Sequence, residues 1–248
     1  MGGPVLDIPG EAAQRLRSAR KVAVLTGAGV SAESGVPTFR GHGGLWKNHR
    51  PEELATPQAF ENDPELVWEW YHWRRGLIRE ASPNEAHRSL VRMETHSPDF
   101  TLITQNVDGL HLNAGSQAVL EIHGNINRAR CSSCPHQVPL SRETGVLTCG
   151  QCGALMRPDV VWFGESLDHG ILEASYNASQ AADFFLVAGT SSVVQPAASL
   201  AYAAKEKGGF VLEVNLDPTP LTGTADASVL GKAGAVLSLL VEETWGAV

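Results

Sequence analysis

Four cysteines carry the most specific chemistry in this 248-residue chain: Cys131-x-x-Cys134 and Cys149-x-x-Cys152, with fourteen residues between the pairs. Two such pairs can place four thiolates on one Zn²⁺ at about 2.3 Å each, and a Cys₄ shell leaves no open position for water or substrate. One zinc ion there is structural. Two disulfides or idle thiols are the competing reading, weakened because residues 1–10 lack the basic start and apolar core of a secretion signal. Zinc ribbons also occur in nucleic-acid binders, yet residues 135–148 hold one arginine and no lysine, too little charge to follow a phosphate backbone.

The second candidate is a glycine turn, Gly27-Ala28-Gly29-Val30-Ser31-Ala32, which fits G-x-G-x-x-(G/A) and can offer backbone N–H groups to a dinucleotide pyrophosphate. Alone it is a weak signal. The ordinary fingerprint also wants an acidic residue ending a second strand about twenty residues later; Glu52 and Glu53 fall near, with no strand before them. A plain structural turn therefore stays open. Polar clusters follow four other apolar runs: Thr104-Gln105-Asn106-Val107-Asp108-Gly109, His123-Gly124, Gly189-Thr190-Ser191-Ser192 and Asn215-Leu216-Asp217. Each could merely cap a helix or form an Asx turn, but ligands of open parallel sheets bind beyond the carboxyl ends of the strands. Four polar ends on one edge make a site.

The elements that must hold these residues can be read from periodicity. Short apolar runs at 21–25, 100–103, 118–122, 184–188 and 210–214, with 235–241 as a last strand, suit a parallel sheet buried on both faces. Helical spacing at 11–19, 85–95, 172–182 and 196–206 supplies the covering layers, so the fold class is α/β, a Rossmann-like parallel sheet with helices on both faces. Residues 41–83, with a helix over 64–80, and 128–156, with every cysteine, fit the alternation poorly. They predict a helical insertion and a zinc-ribbon insertion that together form a small domain, leaving 1–40, 84–127 and 157–248 as the large one.

Composition closes off other classes. With 43% apolar and 19% charged residues, and 25 Gly and 14 Pro spread along the chain, disordered, collagen-like and coiled-coil chains are excluded. Nineteen basic against 27 acidic residues, a net charge of −8, and no basic run argue against direct nucleic-acid binding. The charge-free stretch 184–204 is interrupted by Thr190, Ser191, Ser192, Gln195 and Pro196, so it reads as strand, loop and helix rather than a membrane span. A cytoplasmic location is expected, and the oligomeric state stays open between a monomer and an assembly.

Taken together, these motifs resemble those of the sirtuin family, the NAD-dependent protein lysine deacylases, over almost the whole chain. The segment from Gly27, Ala28 and Gly29 through Ser31, Ser34, Thr38, Phe39 and Arg40 is similar to the family's cofactor loop. Residues 104–111 resemble its nicotinamide-pocket motif, and His123-Gly124 its catalytic pair. The resemblance implies NAD and an acylated-lysine protein or peptide in a cleft between the two domains. The acyl oxygen would attack C1′ of the nicotinamide ribose, with His123 as base toward the 2′-hydroxyl, giving nicotinamide and 2′-O-acyl-ADP-ribose. It implies Asn106 and Asp108 beside the ribose and carboxamide, and Gln105 in the same pocket. Gly189, Thr190, Ser191, Asn215, Leu216 and Asp217 would lie at the phosphates and adenosine, and Ala233 at adenine. The segment around Val161, Phe163 and Gly164 resembles the one that pairs with the peptide as an added strand. A histidine that merely satisfies a strand end is the plainer reading of His123 taken alone.

The acyl group is addressed by the helix over 64–80. Tyr71 and Arg74 are three residues apart on its apolar face, while Glu69, Arg75, Arg79 and Glu80 are expected on the solvated side. A hydroxyl and a planar cation together suit a carboxylate. With Ala55 leaving room upstream, the Tyr-x-x-Arg pair resembles the sirtuin class that removes succinyl, malonyl or glutaryl groups, with deacetylase activity retained. Arg74 snorkelling to solvent or pairing with Glu53 is the alternative. The rival functions are a deacetylase alone, a non-catalytic zinc-ribbon module, and a hydride-transfer dehydrogenase.

Overall fold

The strands Lys21–Thr26, Phe184–Ala188 and Phe210–Asn215 are buried on both faces, because helices cover both sides and leave no wet face to reward alternation. In chain order the computed structural model, which describes residues 7–38, 51–141 and 144–246, contains α1 (Gly10–Ser18), β1 (Lys21–Thr26), α2 (Ala28–Ala32), α3 (Pro51–Leu54), α4 (Pro57–Asn62), α5 (Pro64–Glu80) and α6 (Glu85–His96). There follow β2 (Asp99–Thr104), α7 (Leu110–Ala114), β3 (Val119–Glu121), β4 (Gly124–Cys131), β5 (Gln137–Pro139), β6 (Met156–Val160) and α8 (His169–Ala181). The chain ends with β7 (Phe184–Ala188), α9 (Ser199–Glu206), β8 (Phe210–Asn215), β9 (Ala227–Leu230) and α10 (Ala233–Trp245).

Six strands pair in the order β3-β2-β1-β7-β8-β9, all parallel. The pleat sends Val22 and Val24 of β1 into one core with α1, α6 and α10, and Ala23 and Leu25 into the other with α8 and α9. A second sheet, β5-β4-β6, is antiparallel. It extends from Gly124 to Val160, a few residues beyond the 128–156 insertion, and has a core of its own with α3, α4 and α5.

One element differs from expectation. Residues 235–241 are not a strand but the centre of α10, and the sixth strand of the main sheet is Ala227–Leu230. A short apolar run fits a buried strand and a buried helix equally well. Here Ala233, Leu237, Leu240 and Thr244 recur at helical spacing and are buried, and the helix lies against α1, α6 and β8.

Helix α5 begins where the sequence marks a start: Asp63 Oδ1 accepts from Leu66 N–H at 2.9 Å, with Pro64 in the first turn. It packs on β4 and β6, and Trp68 Nε1–H donates to Met156 O at 2.9 Å. Arg75, expected in solvent, is only 2% exposed. Its Nη2 donates to Ser141 O at 3.2 Å, because the zinc-side hairpin covers that face of the helix as well. Among the described residues no helix is long and apolar enough to cross a membrane.

Candidate active site

The carboxyl ends of β1, β2, β7 and β8 meet in one knot. Gly27 N–H donates to Ala188 O at 3.0 Å and Gly29 N–H to Gly189 O at 2.8 Å. A Cβ on Gly29 would lie 2.8 Å from Gly189 Cα, and Gly189 itself has φ +61°; the two loops touch backbone to backbone, which only glycine permits. From β2, Asn106 Nδ2 donates to Gly27 O at 3.0 Å and Ser31 Oγ at 3.1 Å. Gln105 Nε2 donates to Thr190 Oγ1 at 2.9 Å, and Asn215 Nδ2 from β8 to Thr190 O at 3.2 Å. Ser34 Oγ accepts from Asn84 Nδ2 at 2.9 Å. Gly234 N–H, beside Ala233 at the start of α10, donates to Glu33 Oε1 at 2.8 Å.

His123 stands where β3 passes into β4. Its Nδ1 lies 3.0 Å from Gln105 O. A carbonyl can only accept, so Nδ1 carries the proton and Nε2 keeps its lone pair. Burial holds the ring pKa below its ordinary value, against the opposing pull of that carbonyl. Gly124 follows at φ +81°, and a Cβ there would collide with Asp159 O. The close approach of β6 thus dictates the glycine. Val161 N–H donates to His123 O at 3.0 Å, and Phe163 N–H to Ala55 O at 2.9 Å, so the segment 161–164 is tied to His123 at one end and to the small helices at the other. Phe163 is 58% exposed.

Asp108 is buried, and its Oδ1 accepts from Leu110 N–H at 2.9 Å. Two buried histidines stand beside it with ring centroids 4.8 Å apart, His87 and His111. Thr26 Oγ1 donates to Thr104 Oγ1 at 2.9 Å, so His111 Nε2–H donates to Thr26 Oγ1 at 2.9 Å. Burial lowers the His111 pKa to about 3, with His87 adding to the effect. Burial likewise lowers His87 to about 4, against the pull of Asp108.

Tyr71 and Arg74 are 1% and 5% exposed. Burial brings Arg74 down to about 10, while Tyr71 and Asp108 act in the opposite sense; it remains a cation at neutral pH. Its guanidinium lies 5.4 Å from the Trp70 ring centroid. Burial raises the Tyr71 pKa, with Arg74 opposing, and its hydroxyl oxygen accepts from Trp162 Nε1–H at 2.9 Å.

The four cysteine Sγ atoms lie within 4.8 Å of one another, with Cys131 and Cys152 at 3.4 Å and Cys134 and Cys149 at 3.7 Å. All are free of disulfides. Four thiolates at about 2.3 Å from a tetrahedral centre are separated by roughly 3.8 Å, so the quartet fits one structural zinc. The backbone N–H of Ser133, 3.3 Å from Cys131 Sγ, leads the effects that lower that thiol, while the crowding of the neighbouring thiols helps to raise Cys134 and Cys152.

Most residues singled out from the sequence therefore converge. Gly27, Gly29, Ser31, Gln105, Asn106, Gly189, Thr190 and Asn215 form the knot, with Ala28 opening α2 and Ser191 exposed at its margin. Leu216 and Asp217 follow at the exposed surface. Thr38 ends the described part of the cofactor loop, while Phe39 and Arg40 lie outside the described residues. His87 escapes the sequence reading, and Trp162 and Glu33 lie inside segments that it singles out but receive no role of their own there. The capping pattern from Asn84 to His87 was legible, but nothing in it says that the imidazole faces Asp108.

A family model described as the Sir2 family matches residues 27–196. The chain is 50% identical over 241 residues to an NAD-dependent protein deacylase of Thermococcus kodakarensis, covering 94% of each chain. A solved Sir2 homologue in complex with NAD superposes with a TM-score of 0.91 at 46% identity, covering 96% of this chain and 94% of that one. A Sir2 structure holding a deacetylated p53 peptide and 3′-O-acetyl ADP ribose gives 0.84 at 32% identity, covering 96% and 98%.

Proposed function

The chain belongs to the Sir2 family, and from that premise we propose that it is an NAD-dependent protein lysine deacylase that favours acyl groups ending in a carboxylate. NAD supplies a nicotinamide ribose whose N-glycosidic bond can break at C1′. The residues of this chain then have definite tasks. His123, with its proton held at Nδ1 by Gln105 O, accepts a proton at Nε2 from the ribose 2′-hydroxyl. Asn106 and Asp108 hold the ribose and carboxamide, and the glycine knot with Thr190, Ser191 and Asn215 holds the phosphates and adenosine ribose. Val161, Phe163 and Gly164, on the stretch hydrogen-bonded to His123 and Ala55, take the peptide as an added strand. The products are the free lysine amine, nicotinamide and 2′-O-acyl-ADP-ribose, with one water consumed.

The observation that carries the acyl preference is the burial of the Arg74 cation beside the Tyr71 hydroxyl. A buried guanidinium favours an anionic partner, and succinyl, malonyl and glutaryl groups bring one. A second reading, deacetylation alone, draws on Asp108, whose charge also acts on Arg74 and offers an internal counter-ion. Mass spectrometry of succinyl- and acetyl-lysine peptides incubated with NAD separates the two. Arg74→Met is expected to lower desuccinylation by roughly 10- to 100-fold and to spare most deacetylation. Equal loss of both activities would defeat the acidic-acyl reading.

A further inference from the structure

Trp162 lies between the two parts of the site, on the segment next to His123 and against the helix that carries Tyr71 and Arg74. Its indole N–H can only donate, so at 2.9 Å from the Tyr71 oxygen the polarity of the contact is settled: Trp162 donates and Tyr71 accepts. Among the described residues this is the hydrogen bond of the Tyr71 hydroxyl. A phenol whose oxygen already receives one proton directs its own proton elsewhere. On α5 the neighbour three residues on is Arg74.

The indole is itself held on several sides. The Phe60 ring centroid is 5.4 Å away, and the Arg157 guanidinium sits 3.3 Å from the indole centroid. The backbone N–H of Trp162 donates to Glu165 Oε2 at 2.8 Å, and Arg157 Nη2 donates to the same oxygen at 2.8 Å. Trp162 is 3% exposed, and its ring is held by packing against Phe60 and under the Arg157 guanidinium, which the partly buried ion pair with Glu165 positions. Such support is what a preorganised polar group requires.

We propose that Trp162 is a specificity-determining positioning residue: its indole N–H occupies the Tyr71 oxygen and so aims the Tyr71 proton at the carboxylate of an acidic acyl group. This rests on the acidic-acyl reading above and adds a residue outside the Tyr-x-x-Arg pair. An acetyl group ends in a methyl that accepts no proton, so the device acts on acidic acyl groups alone.

The test is a double-substitution cycle with Trp162→Phe and Tyr71→Phe, singly and together, reading kcat and KM on succinyl- and acetyl-lysine peptides of one sequence. Trp162→Phe is expected to lower the succinyl-to-acetyl ratio of kcat/KM by about 5- to 20-fold, mainly through KM for the succinyl peptide. In the Tyr71→Phe background it should leave that ratio unchanged within about 2-fold. Trp162→Met, which also lacks the donor, repeats the cycle so that the outcome does not hang on the folding of one variant. Parallel loss of both activities, or an equal fall in the ratio without the Tyr71 hydroxyl, overturns the proposal. The Arg74→Met result tells the two failures apart: selective loss there with a flat Trp162 ratio removes only Trp162. A wild-type enzyme without a succinyl advantage, and equally affected on both peptides by Arg74→Met, removes both readings.

Discussion

The two sheets use opposite kinds of polar chemistry. Around the parallel sheet the buried polar groups are mostly hydroxyls, amides and imidazoles, among them Thr26, Ser31, Thr104, Asn106, His87 and His111, with Asp108 and Glu213 as the acids. Around the antiparallel sheet three arginines are buried, Arg74, Arg75 and Arg157, beside a thiol quartet that fits a metal. The difference follows from how each sheet is covered. The parallel sheet has apolar layers on both faces, whose burial supplies its stability at about 25 cal/mol per Å². It needs only short neutral hydrogen bonds to shape its edge. The three-stranded sheet has a single core shared with α3, α4 and α5 and adds a thiol quartet fit for a cation and ion pairs such as Arg157 with Glu165. Cationic side chains there are part of the architecture, Arg74 among them, buried where the charges of Tyr71 and Asp108 act on it.

Removing zinc should break this contrast most severely. Structural zinc contributes about 10–16 kcal/mol in small domains. Chelation is therefore expected to abolish deacylation and to release amide protection in β4, β5 and β6, while β1, β7 and β8 stay protected in hydrogen exchange. Uniform loss of protection would show that the two sheets do not stand apart in this way.

Replacing His123 by Tyr should act on chemistry and not on architecture. A fall in kcat of about 10²- to 10⁴-fold is expected, with NAD binding by calorimetry kept within a few-fold. Because burial lowers the His123 pKa, the base stays neutral to lower pH than a free imidazole, so the acid limb of the wild-type profile should lie below about 6.5. An acid limb above that value, or unchanged turnover in the variant, would remove His123 from this role.

The smallest effect concerns the buried imidazoles of the parallel-sheet side. His87 and His111 are depressed to about 4 and about 3, so the unfolded chain binds protons that the folded one refuses. Their contribution is complete above about pH 6.5 and is lost as pH falls toward those folded values, by about 1.4 kcal/mol per pH unit for each group. Tm should decline between pH 7 and 5, and His111→Asn should flatten the decline. An unchanged slope in that variant would show that other groups carry the acid sensitivity.

Gly29 and Gly124 stand in motifs legible from spacing, yet the reasons for them are tertiary: one meets Gly189, the other the carbonyl of Asp159. Arg75 reads as solvated on a helical wheel and is buried, since a wheel shows which residues share a face but not whether a second layer covers it. Residues 235–241 read as a strand because an apolar run of that length is ambiguous until its neighbours are known.

What the chain determined by itself was chemistry carried by residue type and local spacing: four thiols in two pairs, a glycine turn after an apolar run, polar ends on successive strands, and Tyr71 with Arg74 on one turn of helix. Those signals are short-range and survive in one dimension. The tertiary structure alone decided which groups are dry and which touch across long separations, as with Trp162 and Tyr71, His87 and His111, or Glu33 and the start of α10. Burial and long-range hydrogen bonding belong to pairs of surfaces, and a sequence shows one surface at a time.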